Sequence, residues 1–258
     1  MTLEEELLVW QKEAAFARDV LDGYFSNSDQ SKQVLEVGSG TGLLLQKLNS
    51  DFPQHEFVGL EPFGAGFASL EDLQVSPPSA ILPISYSDFT PKQKFDIVFS
   101  VNVFEHLPDW QDFVVTAAKW LRPNGKIIVL CPNYGFPYES HFGIPIVVNK
   151  AITGRLFAKY IANVESKMNT AGLWSSLNFV RKSQVEAFCL GRGLTFSDRR
   201  DILDVMVNRL LSDPMFRQRH VMLFYIAKIV KALGLVSLLR TRFFKRIVPY
   251  MHFEIARP

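Results

Sequence analysis

Apolar positions open the chain at alternating spacings of four and three. Leu3, Leu7, Trp10, Ala14, Ala17, Leu21 and Tyr24 fall on one face of a helix. Thr2-Leu3-Glu4-Glu5 at its start reads as a capping box, in which a hydroxyl and a carboxylate satisfy the first free amides. From Val34 onward the pattern changes. Short apolar runs at 34–37, 57–60, 80–84, 95–100 and 126–130 alternate with longer helical patterns at 43–48, 67–73 and 109–121. A helix at 184–190 and two further strands, at 194–196 and 252–256, follow. This alternation predicts an α/β fold with a mostly parallel seven-stranded sheet and helices on both faces.

Between the last two strands lie roughly fifty residues of helical periodicity, far more than a hairpin connection needs. The expected layout is an N-terminal helical cap over 1–30, a core over 31–200, a C-terminal helical insertion over 201–249 and a final core strand over 250–258. A second irregular stretch, 132–145, is dense in Pro, Gly and aromatics and starts at the carboxyl end of the fifth strand. Ligands of open parallel sheets bind at that edge.

Composition narrows the classes. With 258 residues, 48% hydrophobic and 21% charged, the chain is neither disordered nor collagen-like. Cys131 and Cys189 stand far apart in apolar stretches, with no metal-ligand spacing and no disulfide framework, so no metal is expected and a reducing compartment is the simpler reading. Acids follow Met1 where a secretory signal would carry Lys or Arg, and Lys228 and Lys231 break the longest apolar run of the C-terminal part. The expected location is cytoplasmic. The formal charge of +2 conceals a skew: residues 214–258 hold nine Lys or Arg against the single acid Glu254. Such an end could cap a site or lie on the inner face of an anionic membrane. Nucleic acid is disfavoured, since bulky aliphatics dilute the cations and no recognised motif accompanies them.

The sharpest chemical signal is Val34-Leu35-Glu36-Val37-Gly38-Ser39-Gly40-Thr41-Gly42, a strand running into a glycine turn and a helix. Glycines at 38, 40 and 42 let backbone approach a ligand closely. The G-x-G-x-G spacing differs from the dinucleotide fingerprint, and a carboxylate at Glu36 suits a cationic ligand better than a pyrophosphate. Glu61 ends the second strand, where an acid can accept both hydroxyls of a ribose.

At these residues the chain resembles the class I S-adenosylmethionine-dependent methyltransferases, which are Rossmann-like. The likeness continues through Phe95-Asp96-Ile97-Val98-Phe99-Ser100-Val101-Asn102-Val103-Phe104-Glu105-His106 and Leu121-Arg122-Pro123-Asn124-Gly125-Lys126. It implies S-adenosyl-L-methionine as cofactor and S-adenosyl-L-homocysteine as product. It also implies that Glu36 faces the methionine or sulfonium end, that Gly38, Ser39, Gly40 and Gly42 pass beneath the cofactor, and that Glu61 holds the ribose. Asn102 and Val103 would line the methionine side. Many members carry an acid for the adenine after the third strand; here Ser85 and Tyr86 stand in that place.

For the acceptor, three side chains could serve as base: His106, Glu139 and His141. His141, with Glu139 orienting it, is favoured because residues 133–142 extend from the fifth strand over the expected acceptor position. Tyr134, Phe136, Tyr138 and Phe142 would wall the pocket, with His106 beside them. In the competing reading, Glu139 and His141 tie down their own loop. His55 and His220 read as solvated, and His252 as structural. The expected activity is methyl transfer, with O-methylation favoured, to a small-molecule, glycan or lipid-linked acceptor. Its competitors are a catalytically silent binding module and a nicotinamide-dependent oxidoreductase.

Overall fold

The computed structural model describes residues 3–26, 30–64, 71, 73–75, 81–239, 241 and 248–258. In chain order the elements are α1 (Leu3–Phe25), β1 (Gln33–Val37), α2 (Leu43–Asp51), β2 (Glu56–Leu60), β3 (Ile81–Leu82), β4 (Phe95–Val101), α3 (Trp110–Trp120) and β5 (Leu121–Pro132). There follow β6 (Tyr138–Glu139), β7 (Ile144–Pro145), α4 (Lys150–Leu156), α5 (Ala158–Met168), α6 (Leu173–Ser176), α7 (Lys182–Gly191) and β8 (Thr195–Asp198). The chain ends with α8 (Ile202–Ser212), α9 (Pro214–Arg219), α10 (Val221–Ala232), α11 (Val236–Leu239) and β9 (Tyr250–Ala256).

Seven strands form one sheet in the order β3-β2-β1-β4-β5-β9-β8. The first five run parallel, and β9 inserts antiparallel between β5 and β8. Side chains alternate across the sheet, as a period of two requires. Val34, Ile97, Phe99, Ile128 and Leu130 enter one core with α1 and α2, whereas Leu35, Val98, Ile127, Val129 and Phe253 enter a second core with α3 and α7. Helices on both faces thus bury both sides of the parallel strands.

The fifth strand is longer than its apolar run suggests, because Leu121 already pairs with Phe95 before a register shift carries the ladder to Ile97 and Lys126. The third strand is shorter, limited to two residues. Most of the helix expected at 67–73, and Thr2 of the capping box, lie outside the described residues.

Residues 202–232 pack as part of the main body. Ile202, Leu203, Met206, Val207, Leu210, Phe216, Leu223 and Ala227 share the first core with Leu21 and Phe25 of α1. Two histidines depart from the sequence reading. His55, bracketed in sequence by Gln54 and Glu56, is buried among Phe25, Phe52 and Phe57, with its Nε2 3.2 Å from the Phe25 carbonyl. His220, which follows Arg219, is also buried, its ring 4.5 Å from that of Phe216 and its Nδ1 3.2 Å from the Tyr138 hydroxyl. Ring packing decides both positions, and polar flanking residues conceal it. His252 is buried on β9, 3.0 Å from the hydroxyl of Tyr24, which ties α1 to the sheet.

Candidate active site

The glycine turn folds as its composition demands. Gly38, Gly40 and Gly42 all take positive φ, and a Cβ on Gly38 would lie 2.2 Å from Val103 Cγ2. Val103 therefore packs directly under the turn, and only glycine fits there. The amides of Gly38 and Ser39 donate to the Leu60 carbonyl at 2.8 and 3.0 Å, clamping the turn to the end of β2.

Glu61 tightens the clamp: it accepts from Gly40 N at 2.8 Å and from Phe63 N at 3.0 Å. Each of its carboxylate oxygens keeps a further lone pair for a ligand hydroxyl. Burial raises its pKa against the pull of those two amides. Glu36, at the carboxyl end of β1, is more extreme. It is buried, its Oε2 has no hydrogen-bond partner among the described residues, and burial, opposed by the Ser39 hydroxyl and aided by the charge of Glu61, pushes its pKa up to about 8. A buried carboxylate oxygen beside a turn with glycine at three of its five positions fits the cationic end of a methyl-donor cofactor.

Asn102 holds positive φ just after β4 and accepts from the Tyr250 hydroxyl at 2.6 Å. Tyr250, more than a hundred residues away in sequence, joins the site only because β9 inserts beside β5. Ser85 bonds Ser87 and Asp88 within its own turn, and the Tyr86 hydroxyl donates to the Asp109 carbonyl at 3.1 Å.

The loop after β5 is held by Asn133, whose Oδ1 accepts from Gly135 N and Lys182 N, both at 3.0 Å, and whose Nδ2 donates to Val248 O at 2.8 Å. It continues into the β6–β7 hairpin, which places Glu139 at the centre of a polar cluster. Glu139 Oε1 accepts from His141 Nδ1 at 2.7 Å, His141 N at 3.1 Å and Tyr134 Oη at 3.2 Å, and Oε2 accepts from Phe142 N at 2.7 Å. Glu139 and His141 do tie down their loop, and the same bonds fix the orientation of the imidazole.

His141 Nε2 then lies 3.7 Å from Glu105 Oε1. Glu105 is fully buried, neither carboxylate oxygen has a hydrogen-bond partner among the described residues, and burial, partly countered by His141, pushes its pKa up to about 7. Burial alone would lower the pKa of His141, but the charge and hydrogen bond of Glu139, with Glu105 behind them, hold it above the ordinary value. His106, by contrast, is driven well down by burial and by its neighbour His141, whose ring centroid is 5.1 Å away; its Nδ1 meets Ser176 Oγ at 2.8 Å. Ligand atoms of Glu105, His106 and His141 all lie within 4.8 Å of one another, a spacing that would admit a small cation. His141 lies between Glu105 and Glu139, whose charges favour its protonated form, so the group is coherent as a proton-sharing cluster.

The aromatic wall is less open than the sequence suggests. Tyr134, Tyr138 and Phe142 are buried; Tyr134 stacks on Phe179 at 4.3 Å, and Phe142 meets Trp174 edge-on at 5.6 Å. Phe136 alone of the four is half-buried. Glu105 and Tyr250 are the polar groups that sequence reasoning missed. The Glu105-His106 pair offered the only signal, and it drew attention to the histidine. Because Asn102, Val103, Glu105 and His106 share one short connection after β4, the glycine turn and the Glu139–His141 hairpin meet across it.

Known proteins resemble this chain in sequence and in fold. Residues 35–127 match the family described as a methyltransferase domain. An uncharacterized protein of Mycobacterium tuberculosis is 33% identical over 215 residues, which cover 80% of this chain and 72% of the relative. The chain belongs to the class I S-adenosylmethionine-dependent methyltransferases. It is an enzyme of that class and its cofactor is S-adenosyl-L-methionine. The ubiquinone biosynthesis O-methyltransferase of Idiomarina loihiensis is 25% identical over 202 residues, 78% of this chain and 71% of that one. Among solved structures, the plantazolicin methyltransferase BamL, in complex with a triazolic desmethylPZN analog and S-adenosylhomocysteine, superposes with a TM-score of 0.52 at 14% identity, covering 96% of this chain and 85% of that one. The Haemonchus contortus phosphoethanolamine N-methyltransferase 2 superposes with a TM-score of 0.51 at 16% identity, covering 96% of this chain and 53% of that one.

Proposed function

We propose that this methyltransferase acts on a hydroxyl of a small-molecule, glycan or lipid-linked acceptor, with His141 as general base and Glu139 as its orienting partner. The observation that carries the reading is the 2.7 Å bond from His141 Nδ1 to Glu139, which fixes the tautomer and leaves Nε2 facing the region of Glu105. An alcohol or phenol must lose its proton during transfer, whereas a neutral amine needs no base before attack. A built histidine–carboxylate pair therefore favours oxygen. The name of the Idiomarina relative supports the same acceptor atom.

In this reading, Glu36, Gly38, Ser39, Gly40, Gly42, Glu61, Asn102 and Val103 hold the cofactor, with Ser85 and Tyr86 towards the adenine. S-adenosylmethionine supplies a methyl group already activated on a sulfonium, so alignment and proton removal are what the chain must add. Phe136 contributes the accessible part of the wall. Tyr134, Tyr138 and Phe142 brace the hairpin from behind, His106 stays neutral beside His141, and Glu105 shares the proton that His141 takes up.

The test uses labelled-methyl transfer to lipid and polar extracts, with mass spectrometry to locate the methyl group on oxygen or nitrogen. His141→Ala should lower turnover by ~10² to 10⁴ with S-adenosylhomocysteine affinity unchanged. The active form of His141 is neutral and its pKa is raised, so turnover should climb with pH through a value above that of an ordinary histidine. Glu139→Gln removes the charge that favours the imidazolium and should move that limb to lower pH. Methyl found on nitrogen, or a pH profile unmoved by Glu139→Gln, would overturn the reading.

A further inference from the structure

Two segments expose large apolar side chains, and neither carries an acid. Along α10 and at the Leu233 that caps it, Val221, Met222, Tyr225, Ile226, Ile229 and Leu233 are exposed, with Ile229 at 59% and Leu233 at 64%, while Leu223 and Ala227 on the other side are buried in the core. Lys228 and Lys231 interrupt the outer face. From Pro214 to Phe253 the sequence has eight Lys or Arg and no Asp or Glu. The second segment runs through α4 into α5. Val148 at 76%, Leu156 at 64%, Ile152 and Tyr160 are exposed beside Arg155 and Lys159, and no acid occurs between Glu139 and Glu165.

Both segments are anchored on the hairpin that carries Glu139 and His141. The Tyr160 hydroxyl donates to the Phe142 carbonyl at 3.1 Å, and a Cβ on Gly143 would lie 3.5 Å from the Arg219 carbonyl, one residue before the junction with α10. His220, at that junction, meets the hydroxyl of Tyr138. The two segments therefore meet the hairpin at residues 138–143, next to the proposed base.

We propose that these two segments form one docking surface for an anionic lipid membrane, which brings the mouth of the active site to the lipid interface. Apolar side chains that enter the headgroup boundary, flanked by Lys and Arg without carboxylates, are what an interfacial helix requires. A second copy of the chain suits the surface poorly, because it would oppose two acid-free cationic faces, whereas anionic headgroups complement them. Among the described residues no helix is long and apolar enough to cross a membrane, so attachment is to the surface. The inference holds whether the acceptor atom is oxygen or nitrogen, and its test uses no acceptor.

The experiment is co-sedimentation of the full chain with phosphatidylcholine vesicles, with and without phosphatidylserine, over a salt series. Binding should need the anionic lipid and weaken as salt rises. Lys228→Gln/Lys231→Gln should reduce partitioning by about fivefold for each lysine neutralised. Ile226→Ser/Ile229→Ser, which changes exposed positions only, should also weaken it, and both variants should keep S-adenosylhomocysteine binding by thermal shift. The same patch on α4 is reached by Leu156→Ser, with the same expectation. Absence of binding to anionic vesicles at low salt, equal binding to neutral ones, or concentration-dependent dimers abolished by Ile226→Ser/Ile229→Ser would overturn the proposal.

Discussion

At the scale of single residues, Glu36 shows how burial sets up binding. Its Oε2 has no hydrogen-bond partner among the described residues and its pKa stands at about 8, so at pH 7 the folded protein holds a proton there. A cation beside Glu36 favours the charged form, and binding of S-adenosylmethionine should therefore release about one proton per site near neutral pH. Calorimetry in buffers of different ionisation enthalpy measures that number. Glu36→Gln should bring it close to zero, and a wild-type protein that releases no proton would show that Glu36 does not face the cation. The glycine turn, Glu36 and Glu61 were legible because they lie together on a strand–turn–helix unit with a chemical reason for each residue. Glu105 and Tyr250 were not legible as partners. Their relation to His141 and Asn102 is made by the order of strands in space, and no local pattern encodes it.

At the scale of elements, the insertion and the hairpin show opposite kinds of legibility. The helices between β8 and β9 were visible from periodicity, but whether they cap the domain or build it depends on packing. Leu203, Met206, Val207, Leu210, Phe216 and Leu223 all enter the core that α1 shares. At ~1.5 to 3 kcal/mol for each buried side chain, their loss would match or exceed the ~5 to 15 kcal/mol by which whole domains are stable. Replacing residues 202–239 with a short Gly-Ser linker should therefore leave no cooperative thermal transition by circular dichroism and no S-adenosylhomocysteine binding. A retained transition with cofactor binding would mean that the sheet stands without these helices. The β6–β7 hairpin escaped sequence reading for another reason: strands of two residues are too short to show alternation. Its position is fixed by Asn133 and by the four bonds to Glu139.

At the scale of the whole molecule, the N-terminal helix and the C-terminal insertion, remote in sequence, are locked by one buried charge group. Arg209 lies between the rings of Phe16 and Phe216, with ring centroids 4.2 and 4.0 Å from its guanidinium carbon, and donates to Glu13 at 2.9 Å. Arg219 pairs with the other oxygen of Glu13. Burial opposes ionisation of Glu13, but the two guanidiniums outweigh it and lower its pKa. A lowered carboxyl pKa stabilises the fold above the ordinary glutamate value, and that contribution is lost as pH falls through the folded one. Arg209→Leu would strand most of the charge on Glu13, at a cost of about 3 kcal/mol, near the low end for a broken buried pair because Arg219 stays close. For a domain of this size that corresponds to a fall in Tm of roughly 6 to 12 °C. Glu13→Gln combined with Arg209→Met, which removes both charges and keeps the volume, should recover most of the loss and should also flatten the acid limb of the stability curve. Thermal melts from pH 3 to 7 on the three proteins check both expectations. If the double variant melts as low as Arg209→Leu, ring packing on Arg209 rather than its charge joins the two ends of the chain.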